Sequence, residues 1–303
     1  MKQRISIICA ILMMVLLVVG CGPAQTGTTG ATHQVTDGTG TIVTVPNEPK
    51  RIVPIAASTE DIVLSLVDPN RVAAVGTVPN NVPDASAKVE KHVKASAESM
   101  LSVQPDLVLV PNWMSPDAIG EMRNMQIPVY VYKTPTTVKE AKAVIHEISD
   151  LLHASDEAMI ASMDEDLKTV EELSNKHSGE RPLVAFYSQF GLTGGKGSTF
   201  DDMCNYLKVN NAAAQIGLGP FDNGTREDLI KSNPDIIFIP SVAYTSDGTT
   251  PATAEQLYSD PALQGVKAIA NRRVFLVDSS QVMSYSQFMT RAMVSMAQNI
   301  YSM

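Results

Sequence analysis

The sequence predicts an α/β protein made of two α/β lobes with mainly parallel sheets, joined by one long rigid helix. Short runs of consecutive apolar residues alternate with helical segments, a pattern typical of strands that are covered on both faces. One acid-led unit also occurs twice, as ESMLSVQPDLVLVP from residue 98 and as EDLIKSNPDIIFIP from residue 227. Each half of the chain therefore contains the same connection from a short helix into a buried strand.

The first residues carry a predicted export signal. A basic start precedes an uncharged apolar run, and Val18-Val19-Gly20-Cys21 resembles the lipobox of bacterial lipoproteins, in which the cysteine is acylated. We predict a signal peptide over residues 1–20 and a lipidated, flexible tether over residues 21–35. Lipid on Cys21 would hold the protein on the cell membrane, facing outside the cytoplasm. An uncleaved N-terminal anchor is the alternative and implies the same side of the membrane.

The N-terminal lobe is predicted over residues 36–154. β-Branched content predicts a strand around Ile52, and Ser58 or Thr59 is expected to cap the helix that follows. The first copy of the unit supplies a helix and a buried strand, and a capping-box pattern at Thr137 begins a long helix. Strand and helix alternate through this lobe, as in a parallel sheet with helices on either side.

A long helix is predicted between the lobes, over residues 155–178, with Ser155 as its cap. At 1.5 Å per residue it would be about 30 Å long, which suits a rigid link. The α/β pattern resumes in a C-terminal lobe over residues 179–303, which contains the second copy of the unit. The closing helix carries a row of methionines, which we interpret as core packing rather than as a sulfur-ligand site.

Several further segments resemble one protein family. The chain contains, in this order, the signal cysteine, VTDGTGTIVTVP, KRIVPIAASTEDIVLSL, one copy of the unit, the long helix, GKGSTFDDMCNYLKVNNAA, the second copy and VKAIANRRVFLVD. This order resembles the periplasmic-binding family that serves ABC importers of ferric siderophores, haem and cobalamin. The resemblance covers nearly all of the chain from Asp37 on, and it implies a ligand cleft between the two lobes.

The resemblance also implies a role for the duplicated unit. In this family each lobe presents an exposed glutamate at the head of such a unit, and the two glutamates dock onto arginines of the paired permease subunits. Glu98 and Glu227 lie at the matching positions. A monomer with one acid per lobe would match a two-fold permease dimer. The alternative explanation is local, since a glutamate in the first turn of a helix gains from the helix dipole.

The candidate ligand-binding residues lie in loops, because open α/β sheets bind ligands beyond the carboxyl ends of their strands. At that edge the sequence places Asn112, Trp113, Tyr132, Tyr187, Gln189, Tyr244, Met283 and Tyr285. Trp113 is the only tryptophan, and an aromatic side chain in such a loop suits a large, flat or greasy ligand. The alternative is a tryptophan packed beneath its own lobe.

Metal, cofactor and nucleic-acid sites are not predicted. The five histidines show no grouping that would build a three- or four-ligand metal site. Iron would arrive inside a chelator or porphyrin, and a cleft tyrosine could supply a ligand to it. The GGKGST loop departs from the phosphate-binding pattern because Gly197 follows Lys196. A net charge of −9 argues against nucleic acid as a partner.

Together these features predict an extracytoplasmic substrate-binding protein that captures an iron complex, a ferric siderophore or haem, and delivers it to an ABC-importer permease. No bond is made or broken, so the protein is not an enzyme. A cobalamin or other corrinoid ligand is the alternative, since Gln189-Phe190-Gly191 and the place of Trp113 resemble cobalamin binders. An exported α/β hydrolase is disfavoured because the sequence lacks a G-x-S-x-G element. An adhesin or sensor on the same scaffold is a third hypothesis.

Overall fold

The computed structural model describes residues 31–78, 80–241 and 252–301. The predicted signal peptide, the lipid site Cys21 and the candidate ligand residue Tyr244 lie outside the described residues. Within them, no helix is long and apolar enough to cross a membrane.

The secondary structure follows the predicted alternation of strand and helix. The strands of the described residues are β1 (Thr32–Thr36), β2 (Ile42–Pro46), β3 (Ile52–Pro54), β4 (Leu107–Pro111), β5 (Val129–Tyr132), β6 (Leu183–Ser188), β7 (Gly191–Thr193), β8 (Asn210–Asn211), β9 (Ile236–Pro240) and β10 (Val274–Val277). The helices are α1 (Ala57–Leu66), α2 (Pro83–Ser86), α3 (Ala97–Val103), α4 (Pro116–Asn124), α5 (Val138–Leu152), α6 (Glu157–Asn175), α7 (Thr199–Tyr206), α8 (Ala212–Gln215), α9 (Arg226–Ser232), α10 (Ala254–Ser259), α11 (Lys267–Ala270), α12 (Ser279–Val282) and α13 (Phe288–Tyr301).

The N-terminal lobe is built on a parallel sheet in the order β3-β4-β5. Ile52 pairs with Leu107, and Val108 pairs with Val129. Every residue of β4 is buried, and its alternate residues enter two different apolar clusters, one on each face of the sheet. A strand covered on both faces is what its unbroken apolar run predicts.

The C-terminal lobe repeats this arrangement with one change. β10, β9 and β6 run parallel, and β8 pairs parallel with the start of β6. β7 instead returns antiparallel beside the end of β6, where Ser188 pairs with Gly191. The tight turn between them places Gln189 and Phe190 at the carboxyl edge of the sheet. The prediction of two α/β lobes with mainly parallel sheets is confirmed.

The long helix α6 and the closing helix α13 pack against each other between the lobes. Met163 and Val170 of α6 are buried, as are Met289 and Met293 of α13. The methionines are core residues, as predicted, and they belong to an apolar cluster that contains residues of both lobes. A continuous core of this kind explains how one helix holds two lobes in a fixed relation.

Three local predictions are wrong. Residues 32–35 belong to β1, which pairs with β2, so the predicted tether is too long at its C-terminal end. Ser58 and Thr59 lie inside α1 instead of capping it, because the Thr59 hydroxyl donates to Ile55 O and the Ser58 hydroxyl contacts the other lobe. Asp156 occupies the N-cap of α6 in place of Ser155.

Candidate functional site

The duplicated unit has the same local structure in both lobes. α3 and α9 are each seven residues long. The side chains of Ser96 and Thr225 accept a hydrogen bond from the third residue of their helix, which satisfies an otherwise unpaired N–H. Gln104 and Asn233 end the two helices in the left-handed conformation, with φ of 46° and 48°. The chain then turns through Pro-Asp into the next strand.

The aspartate of each unit has a structural role. Asp106 accepts hydrogen bonds of 2.7 and 2.9 Å from the backbone N–H groups of Lys50 and Arg51, just before β3. Asp235 accepts a bond of 2.8 Å from the N–H of Leu183, the first residue of β6. Both carboxylates therefore fix the start of the neighbouring strand, which explains why Pro-Asp occurs at the same place in each lobe.

The glutamate of each unit points outward. Glu98 and Glu227 are the second residues of α3 and α9, and both side chains are exposed. Among the described residues, neither carboxylate has an ion pair or a hydrogen bond. The positive end of the helix dipole favours a negative charge at both positions, and both charges are available to a partner.

The two lobes meet at a group of aromatic side chains. Trp113 lies between β4 and α4, and its indole Nε1 donates a 3.3 Å hydrogen bond to Tyr285 Oη in the C-terminal lobe. The hydroxyl of Tyr132 also lies 3.4 Å from Tyr285 Oη, with the two rings edge to face. Three of the sequence-predicted residues are thus brought together. Trp113 is 61 % exposed, so it offers a ring face to a ligand.

Tyr132 and Tyr285 offer much less surface. The sequence placed Tyr132 beyond its strand, but it is the last residue of β5 and is fully buried, with its hydroxyl 2.6 Å from that of Thr59. Helices cover both faces of this sheet, which leaves the Tyr132 side chain no path to solvent. Tyr285 is 9 % exposed. Burial raises the pKa of both phenols, so each stays protonated and acts through hydrogen bonds.

Hydrogen bonds between α1 and the segment before α13 also join the lobes, and the sequence analysis did not predict them. Ser58 Oγ lies 3.1 Å from Ser284 Oγ and accepts a 3.3 Å bond from the N–H of Tyr285. Asp61 accepts a 2.9 Å bond from Ser286 Oγ. The one available signal was the acidic pair Glu60-Asp61, the charged residues of α1, and both carboxylates are buried.

A pocket of about 290 Å³ opens at the carboxyl edge of the C-terminal sheet. Its apolar lining includes Phe186, Phe190, Phe200, Phe221 and Met283. Of these, Phe190, Phe221 and Met283 also expose much of their surface to solvent. Met283 was predicted from the sequence as a ligand-binding residue, but Phe221 was not. The loop that carries Phe221, LGPFDNG, has no hydrophobic periodicity from which its position could be predicted.

Asn112, Tyr187 and Gln189 do not line this pocket. Asn112 is exposed and its side-chain oxygen accepts a 3.0 Å bond from the N–H of Thr134. Tyr187 is half-buried in β6, and burial raises the pKa of its phenol. The amide nitrogen and oxygen of Gln189 are buried and have no hydrogen-bond partner among the described residues. No group of three or more metal-ligating side chains occurs in the described part of the chain.

Comparison with known proteins places this architecture in a family. The model of the family described as "Periplasmic binding protein" matches residues 52–281. YvrC, an uncharacterised ABC transporter substrate-binding lipoprotein of Bacillus subtilis, is 27% identical over an alignment that covers 99% of this chain and 98% of the relative. A cobalamin-binding protein of Halobacterium salinarum is 22% identical over 86% of this chain and 72% of its own length.

Solved structures share the fold. The periplasmic haem-binding protein RhuT of Roseiflexus has a TM-score of 0.69 at 19% identity, covering 84% of this chain and 98% of that one. A periplasmic binding protein of Veillonella parvula has a TM-score of 0.74 at 19% identity, covering 91% of this chain and 99% of that one.

Two lobes that meet at a cleft with exposed aromatic side chains define a bilobed binding protein. The chain belongs to the periplasmic binding protein family. Proteins of this family bind small molecules outside the cytoplasm, deliver them to an ABC-importer permease and are not enzymes.

Proposed function

We propose that the protein is the lipid-anchored receptor of an ABC importer and that its ligand is a corrinoid. The observation that carries this ligand is the cleft surface, where Trp113, Phe190, Phe221 and Met283 expose apolar side chains. The sequence analysis favoured an iron complex as the ligand. We now place an iron complex second, and the type that fits the site is an uncharged ferric hydroxamate. The cobalamin-binding relative in Halobacterium salinarum supports the first ligand.

Charge separates the ligand classes. Haem carries two propionates, and ferric catecholates carry several negative charges, so a site for either needs basic partners. Among the residues that line the C-terminal pocket, the charged side chain is Asp222, which repels such anions. The peripheral amides of a corrinoid are uncharged, and they are matched by apolar walls with a few polar groups.

Metal coordination also distinguishes between the candidate ligand classes. A protein tyrosine that ligates iron has to lose its proton, and burial raises the pKa of Tyr132, Tyr187 and Tyr285. Tyr132 and Tyr285 are also engaged in hydrogen bonds between the lobes. These tyrosines favour a ligand whose metal brings its own coordination sphere, as a corrinoid or a hydroxamate siderophore does.

The ligand test uses Trp113 as its reporter, because it is the only tryptophan. The purified protein is titrated with cyanocobalamin, a ferric hydroxamate, a ferric catecholate and haemin, with calorimetry on the same panel to exclude inner-filter effects. We expect saturable binding of cyanocobalamin in the micromolar range or tighter, about −8 kcal/mol. Tight binding of haemin or the catecholate, with no binding of cyanocobalamin, would overturn the proposal.

The location is part of the same proposal. Acylation of Cys21 would attach the protein to the outer face of the cytoplasmic membrane, and the B. subtilis relative is named as a lipoprotein. We expect Cys21→Ser to abolish incorporation of a labelled fatty acid into the protein, because the thiol that would accept the acyl chain is lost. A variant that still incorporates the label would show that Cys21 is not the lipid site.

A further inference from the structure

The loop that carries Phe221 is held rigidly against the C-terminal sheet. Leu192 and Gly224 exchange two backbone hydrogen bonds of 2.8 and 3.0 Å, and the N–H of Lys196 donates a 2.8 Å bond to Leu218 O. These bonds fix both ends of the loop, residues 218–224. The tip of the loop is therefore a fixed platform beside the pocket.

Glycines make this close approach possible. A Cβ added at Gly195 would overlap the carbonyl oxygens of Leu218 and Gly219, and a Cβ at Gly191 would overlap that of Gly224. The obstructing atoms are backbone, so they cannot rotate away as a flexible side chain would. Gly191 also has a φ of +96°, which a residue with a side chain rarely adopts. The loop can therefore keep this position only if residues 191 and 195 are glycine.

Phe221 is displayed at the tip of that platform. The Asp222 carboxylate accepts a 2.7 Å hydrogen bond from the N–H of Gly219, which closes the turn around Phe221. The Phe221 ring is 92 % exposed, although it lines the pocket. Phe190 and Met283 line the same pocket and are also exposed. Three large apolar side chains around one opening form a surface that a ligand would cover.

The buried part of the pocket lining includes two aromatic side chains. Phe186 and Phe200 are buried, and their rings stack at a centroid distance of 5.5 Å with 28° between their planes. Thr193, Thr199 and Asn223 also line the pocket, and among the described residues their side chains have no hydrogen-bond partner. The volume of about 290 Å³ lies at the lower end of the range for small-molecule sites. It suits one ring system of a ligand rather than a whole macrocycle.

We infer that the pocket beneath Phe221 is a subsite for one planar, uncharged heteroaromatic group of the ligand, and that Phe221 decides whether this group is accepted. The group stacks on the aromatic side chains that line the pocket, and the polar atoms attached to the ring system take hydrogen bonds from the free hydroxyls and amide at the opening. The large remainder of the ligand then lies in the cleft near Trp113. The identity of the whole ligand in this inference rests on the proposed function. The type of group that the subsite binds rests on the pocket lining alone.

The first test compares two corrinoids that differ in the heteroaromatic base. Cyanocobalamin carries a benzimidazole nucleotide, and dicyanocobinamide lacks it. We expect Phe221→Ala to weaken cyanocobalamin binding on the order of tenfold, the loss of an aromatic contact, and to leave dicyanocobinamide binding unchanged. Met125→Ala is the matched control. Met125 is an exposed apolar residue directly after α4, in the segment that leads into the amino end of β5, and it does not line the pocket. Equal losses for both corrinoids, or no loss for either, would overturn the subsite.

A second measurement separates the subsite from the corrinoid proposal. Saturation-transfer NMR with free 5,6-dimethylbenzimidazole reports ring contact directly, and the full-length protein is compared with Phe221→Ala. We expect transfer to the ring protons in the wild type and its loss in the variant. If corrinoids fail to bind but this difference is seen, the proposed ligand is wrong and the subsite stands. If corrinoids bind but the free base shows no transfer, the subsite is wrong and the proposed function stands.

Discussion

Trp113 Nε1 and Tyr285 Oη lie 3.3 Å apart and join the two lobes across the cleft. The two residues are 172 positions apart in the sequence, so each depends on the packing of its own lobe for this distance. The indole is mostly exposed and the phenol is mostly buried. A side chain that can contact a ligand is therefore linked to the interface between the lobes.

The Trp113–Tyr285 contact can be followed through the one indole N–H signal of the protein. In Tyr285→Phe the acceptor is lost, and we expect this signal to move upfield and to exchange faster with deuterated solvent. The free energy of unfolding should fall by about 0.5–1.5 kcal/mol for each of the two hydrogen bonds that the Tyr285 hydroxyl accepts, from Trp113 and from Tyr132. Tyr132→Phe is the control, since it removes the neighbouring hydroxyl and keeps the acceptor. An unchanged indole signal in Tyr285→Phe would show that the bond does not form in solution.

The exposed glutamates of the duplicated unit give a second prediction, which concerns docking. Glu98→Gln and Glu227→Gln each remove one charge that has no partner among the described residues. We expect each to weaken binding to the purified permease by about tenfold, or 1.4 kcal/mol, and to reduce its salt dependence. Ligand affinity should not change, because neither glutamate lines the C-terminal pocket. The readouts are permease binding at two ionic strengths and ligand titration.

Glu172→Gln is the control for this series. Glu172 is an exposed carboxylate on α6, so its removal changes net charge equally without touching either unit. A loss of permease binding in the control as large as in Glu98→Gln would show that net charge alone is responsible. Full binding by the double variant would exclude the two glutamates from docking.

The buried acid Glu60 gives a prediction for pH. Burial raises the pKa of Glu60 above its ordinary value of 4.5, although Asn80 and Gly76 donate hydrogen bonds to it. The folded protein therefore binds this proton more tightly than the unfolded chain does. That stabilisation is complete below pH 4.5 and is lost as the pH rises through the raised pKa. Relative to Glu60→Gln, the wild type should lose unfolding free energy between pH 4.5 and neutrality, as measured by urea denaturation.

Asp37 supplies a control of the opposite sign. Burial alone would raise the pKa of Asp37, but hydrogen bonds from Thr39, Thr41 and Val131 hold it below 3.8. Its stabilisation is present above that pH and is lost only as the pH falls through the lowered pKa. The difference between wild type and Asp37→Asn should therefore stay constant between pH 4.5 and neutrality. If the difference in unfolding free energy from the wild type changes with pH in the same way for Glu60→Gln and Asp37→Asn, groups other than Glu60 cause the pH dependence.

The sequence predicted the fold because the relevant signals are local. The unbroken apolar run of β4 requires a covered strand, and Pro105 and Pro234 each follow a helix end, so the duplicated unit could be interpreted without tertiary information. The same reasoning failed at Ser58. A serine before an apolar helix predicts a cap, but its partner is Ser284, 226 positions away, and no local pattern reports such a pair.

The candidate site was predicted less completely, for a related reason. The rule that ligands bind at the carboxyl ends of strands leads to the loops of Trp113, Gln189 and Met283. It does not say which side chains face inward, and Tyr132 proved to be buried. Phe221 could not be found because its position depends on the backbone contacts of Gly191 and Gly195 rather than on a periodic pattern.

Gln189 carries the last prediction, which concerns the cost of its buried amide. Both the amide nitrogen and the amide oxygen are buried without a hydrogen-bond partner among the described residues. A buried polar group left unpaired costs about 1–3 kcal/mol. Gln189→Met keeps the length of the side chain and removes the amide, so we expect it to raise the free energy of unfolding by about this amount. Urea denaturation of the ligand-free protein measures the gain.

The same substitution tests why such an amide is present. Gln189 lies in the turn between β6 and β7, at the edge of the sheet where the cleft opens. If its amide turns outward to bond the ligand, Gln189→Met should bind ligand on the order of tenfold more weakly while being more stable. Thr134→Val is the control, because its hydroxyl is likewise buried and unpaired, and it should gain stability with no change in affinity. A Gln189→Met protein that is more stable and binds as tightly as the wild type would exclude Gln189 from the binding site.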